Sequence, residues 1–87
     1  MKLSSNRQLY DYLVSLSAEL ESCGKAELSA IVGAASRCAR GMSTEFLGES
    51  RIALRRVLRE EARVLGDKGR ADLLDVLQQL DSALDHR

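Results

Sequence analysis

Apolar residues return at spacings of four, three and four in three separate stretches of this chain. Leu9, Leu13, Leu16 and Leu20 make the first set, Leu28, Val32, Ala35 and Ala39 the second, and Leu73, Leu77, Leu80 and Leu84 the last. At about 100° per residue that spacing lays the side chains along one side of an α-helix, whereas a strand repeats every two residues. A fourth stretch, STEFLGESRIALRRVLREEARVL, lies between the second and last sets. There Leu47, Leu54, Leu58 and Leu65 fall on one line by the same period, with Phe46, Val57 and Val64 flanking them.

Composition supports helices throughout. Proline is absent, aromatics are 3% of the residues, and Leu, Ala and charged side chains dominate, so the β-branched and aromatic residues that strands favour are scarce. The turn signals fall between the stripes. Ser5 and Gln8 have the spacing of a capping box before the first stripe, and Gly24 supplies a left-handed stop after it. Gly41 ends the second helix. Met42 and Leu47 fit a hydrophobic staple around an N-cap at Ser43, with Glu45 on the positive end of the helix dipole. Gly48 weakens the first turns of that helix, whose regular part is expected only from near Glu49. Gly66 closes it. The spacing predicts helices over 6–23, 25–39, 43–65 and 70–85, with Asp67, Lys68 and Gly69 as the last connection and His86 and Arg87 frayed. Short connections make the expected fold an all-α, compact antiparallel four-helix bundle, with residues 1–87 as one domain.

The charge balance excludes global attraction to polyanions. Thirteen basic and thirteen acidic side chains give a formal net charge of zero, so any affinity for nucleic acid or membrane must come from a local patch. The longest uncharged run, 28–36, is far short of the ~20 residues that span a bilayer. The opening MKLSSNRQLYD has no apolar h-region, and the expected location is the cytoplasm. Cys23 and Cys38 sit at the ends of successive antiparallel helices, roughly 20 Å apart along the axis, too far for a disulfide. Both are expected to be small buried or half-buried apolar residues.

Little in the chain offers catalysis. There is no Gly-rich phosphate loop, no H-E-x-x-H, and no base near a Ser or Cys nucleophile; His86 is penultimate. Glu60 and Glu61 read as solvated charge. Two thiols and one histidine do not make an ordinary zinc site. The expectation is a non-enzyme without cofactor, metal or small-molecule substrate.

What stability alone explains poorly is an arginine column. Arg51, Arg55 and Arg59 stand four residues apart with no acid at i±3 or i±4, whereas Arg63 has Glu60 and Asp67 at those spacings. Like charges so placed cost a helix about 0.2–0.5 kcal/mol per pair, so negative charge must arrive from elsewhere. The acids of helices one and four could supply it within the bundle, as could an acidic partner protein, a second copy of the chain, or nucleic-acid phosphate. Ile52 lies roughly 140° from the leucine line, among Arg55, Arg56, Arg59 and Arg63, as an interface anchor would. Tyr10 and Val14 also point away from their stripe and would extend that surface if helices one and three were neighbours. The back of helix two, Ala26, Ser29, Ala30, Gly33 and Ala34, is small and uncharged, which suits close packing of a central helix or a second subunit.

A helix-turn-helix outline over helices two and three gives the alternative, a DNA-binding regulator. Its base-reading positions would be Ser43, Thr44, Glu45, Phe46 and Leu47, a poor set for that task. The expected function is therefore protein binding of the immunity, antitoxin, adaptor or inhibitor type, with Arg51, Ile52, Arg55 and Arg59 as the partner-binding residues.

Overall fold

The structure is a computed structural model that describes residues 3, 5–41 and 43–85. Met42, His86 and Arg87, and with them the expected staple and frayed end, lie outside the described residues, as do the side chains of Ser43 and Glu61. Helix accounts for 92% of the chain described and no strand occurs among those residues, so the all-α bundle is the observed fold.

Helix α1 spans Asn6–Ser22, α2 Ala26–Arg37, α3 Ser43–Glu61 and α4 Gly66–Asp85. Short 3₁₀ turns, Cys38–Arg40 and Ala62–Leu65, extend α2 and α3. The Ser5 hydroxyl caps α1 by accepting from the Gln8 N–H at 3.3 Å. Gly24, at φ +80°, reverses the chain between α1 and α2. Consecutive helices pack side by side, α1 on α2, α2 on α3 and α3 on α4. The N-terminal segment joins α4 through the Leu3 N–H, which donates to Gln79 Oε1 at 2.7 Å.

Leu9, Leu13, Leu16 and Leu20 are all buried, as their spacing predicts. In α2, Leu28, Val32 and Ala35 are buried and Ala39 is half-buried in the 3₁₀ turn. The small face of α2 does allow close approach. Ser17 and Ser29 exchange hydrogen bonds between α1 and α2, each hydroxyl donating to the other's carbonyl, at 2.9 and 2.8 Å. Gly33 lies next to this clasp, where an added Cβ would stand 3.5 Å from Ser17 Oγ. Ala26, Ala30 and Ala34 stay exposed.

The core face of α3 is rotated from the leucine line. Phe46, Ser50, Ala53, Leu54 and Val57 are buried, whereas Leu47 and Leu58 are half-buried at the edge. The neighbours on either side explain this: α2 and α4 both press on α3, and the strip between them is centred on its smaller residues. Ser50 is fully buried and its hydroxyl has no hydrogen-bond partner. Helix α3 is also regular from Ser43, with Gly48 inside it.

Two further expectations need correction. Helix α4 starts at Gly66 and not at Arg70, because Gly69 serves close packing against Leu65 and not a turn. Cys23 is exposed, since α1 ends at Ser22 and the next residue leaves the helical stripe. Cys38 is half-buried as expected, and both cysteines are free thiols.

Candidate functional site: the exposed face of the third helix

Because the core strip of α3 runs through Phe46, Leu54 and Val57, its far side carries the arginines and Ile52. Ile52 is 64% exposed, more than any other large hydrophobic residue described. Tyr10 and Val14 do not join it: α3 packs on α2 and α4, and these two residues line a separate groove between α1 and α2.

The arginine column divides in two. Asp81 of α4 takes both Arg55 Nη2 at 2.8 Å and Arg51 Nη1 at 3.4 Å on the same Oδ1 oxygen. Helix four thus supplies negative charge to the first two arginines, one carboxylate for two guanidiniums. The Arg51 side chain is only 29% exposed and serves the α3–α4 contact. Arg59 is 77% exposed and, among the described residues, makes only a loose ion pair, 3.7 Å to Glu60. Glu60 is already committed to Arg56 at 2.6 Å, and Arg56 reaches across to Glu27 of α2 at 2.9 Å. Glu60, and less strongly Glu27, hold the Arg56 guanidinium above its ordinary pKa.

Arg63 departs from its expected pairing. It forms an ion pair with neither Glu60 nor Asp67 among the described residues. The 3₁₀ turn and Gly66 at φ +72° break the α-helical register between 60 and 67, so the i±4 relation no longer brings the charges together. Arg63 instead lines a concavity of about 720 Å³ with Leu58, Arg59, Glu60, Asp67 and Arg70 at the α3–α4 corner. Arg70 was not legible as part of this surface, because its place depends on where α4 begins.

The face thus combines an exposed aliphatic side chain with guanidiniums that the bundle does not fully neutralise. Such a surface can bind carboxylates and an apolar patch together. The first residues of α3 are less available: Thr44 and Glu45 are exposed, but Phe46 is wholly in the core. Among the described residues, no group of His, Cys, Asp and Glu is placed to hold a metal ion, and no helix is long and apolar enough to cross a membrane. The chain matches no protein-family model, and neither a curated protein nor a solved structure shows significant similarity to it.

Proposed function

We propose that the chain is a small cytoplasmic, non-enzymatic protein-binding module, of the immunity, antitoxin, adaptor or inhibitor type, that recognises an acidic partner surface through α3. The observation that carries this reading is Ile52, 64% exposed on the same face as Arg55 and Arg59. Burying such a side chain against a partner favours association, and the adjacent guanidiniums select carboxylates around it. Arg63 and Arg70 extend the positive surface toward the helix corner. Arg51 has a different part, since it holds Asp81 and positions Arg55.

The test begins with affinity capture and identification of the partner, followed by titration of the purified pair. Ile52→Asp and Arg59→Glu should each weaken binding by at least ~10-fold, about 1.4 kcal/mol, with helicity and melting temperature unchanged. Arg51→Glu should behave differently, lowering the melting temperature because it sets a carboxylate against Asp81. Wild-type affinity in the Ile52 and Arg59 variants would sink the proposal. Duplex DNA is the control ligand; affinity that falls log-linearly with salt would favour the regulator alternative.

A further inference from the structure

The outer side of α1 has an order of its own. Arg7, Tyr10, Val14, Ala18 and Glu21 are spaced three, four, four and three, a sequence of intervals that reads the same in both directions from Val14. All five are exposed, including Tyr10 at 38% and Val14 at 43%. They form one wall of a groove of about 850 Å³ whose floor includes Ser17 and Gly33, and whose other wall carries Arg37 and Arg40. The Ser17–Ser29 clasp fixes α1 and α2 as an antiparallel pair, so Arg37 and Arg40 stand at the Arg7 end of the groove. Neither arginine has an ion-pair partner among the described residues, and nor does Glu21 at the opposite end.

We propose that this face forms an isologous dimer, in which α1 lies antiparallel to α1 of a second copy with Val14 at the twofold axis. Under that symmetry the residue k places before Val14 meets the residue k places after it. Tyr10 then covers Ala18 of the second copy, a large side chain over a small one. The basic end, Arg7 with Arg37 and Arg40, meets Glu21 of the second copy, and the same contact recurs at the other end. The surface is therefore complementary to itself in shape, apolar content and charge. A second copy satisfies it where an unrelated acidic helix would leave Glu21 facing like charge. The intervals are also those of a helix–helix seam. This surface is separate from the α3 face and requires nothing of it.

Sedimentation equilibrium of the full chain, from micromolar to millimolar concentration, should show a species of twice 9.6 kDa. Val14→Lys, at an exposed site, should raise the dimer dissociation constant by at least ~10-fold with helicity intact, while Ile52→Asp leaves it unchanged. Glu21→Arg makes both ends of the groove basic, and Arg37→Glu with Arg40→Glu makes them acidic. Each variant alone should be monomeric, and an equimolar mixture should recover a dimer. A monomer at every concentration, a dimer that tolerates Val14→Lys or fails with Ile52→Asp, or a mixture no stronger than its components would overturn the proposal. If the double arginine variant does not fold, Val14→Lys and Glu21→Arg still decide it.

Discussion

Leu65 covers Gly69 so closely that a methyl group at position 69 would stand 2.7 Å from Leu65 Cβ. Gly48, inside α3, has nothing within 4 Å of the corresponding position. One substitution should therefore have opposite signs at the two sites. Gly69→Ala should cost about 1–3 kcal/mol, because a backbone-proximal carbon must move. Gly48→Ala should gain up to about 1 kcal/mol from helix propensity. Urea unfolding of both variants checks the pair, and equal effects would contradict it.

The rotation of the α3 core strip separates two leucines that the helical period alone makes equivalent. Leu54 is fully buried and Leu58 only half-buried. Leu54→Ala should cost about 2–5 kcal/mol and Leu58→Ala less than about 2 kcal/mol. Chemical denaturation gives the comparison directly. Ser50→Ala, which removes a buried hydroxyl without a partner, should be neutral or stabilising by about 1 kcal/mol in the same assay.

These differences show how far the sequence could be read. The stripe of α1 is legible because its leucines meet a single broad interface, and every one of them is buried. In the third stripe Leu54 and Leu65 are buried as expected, but Leu47 and Leu58 mislead, because two flanking helices centre the contact on Phe46, Ala53 and Val57. Ile52 was legible as an outlier of its own helix. The sharing of Asp81 by Arg51 and Arg55 was not, since it depends on the register between α3 and α4. The start of α4 was hidden by Gly69, whose role is a contact and not a turn.

Ser17 and Ser29 form one unit, so their deletions should not add. Each single change to Ala should cost about 1 kcal/mol, since it removes one hydroxyl-to-carbonyl bond together with the 2.9 Å contact between the two hydroxyls, which both deletions share. The double variant should cost clearly less than the sum. A double-mutant cycle on unfolding free energy measures the coupling, and strict additivity would rule the clasp out as a unit.

Tyr12 should make the fold sensitive to alkali. Burial raises its phenol pKa, and Asp72 and Glu19 push it further in the same direction. The unfolded chain ionises this group at about pH 10, whereas the folded chain still holds the proton there. Stability is therefore intact below about pH 10 and falls as pH rises beyond it. Urea midpoints between about pH 9 and 11 should decline in the wild type and decline less in Tyr12→Phe. Parallel curves would remove Tyr12 as the cause.

Packing each helix on the next one along the chain also bears on how the molecule forms. The main helix pairs need no distant segments to meet, because α1–α2, α2–α3 and α3–α4 each close over a short connection, while the bond from the Leu3 N–H to Gln79 ties sequence-distant parts of the chain. Loop-closure entropy is small for each of these pairs, and topologies dominated by them reach the native state on the order of microseconds to milliseconds. The α1–α2 hairpin, with its serine clasp across a left-handed glycine, is a natural first unit of that assembly. A chain that emerges N-terminus first can shield its leucines within this hairpin before α3 and α4 are complete.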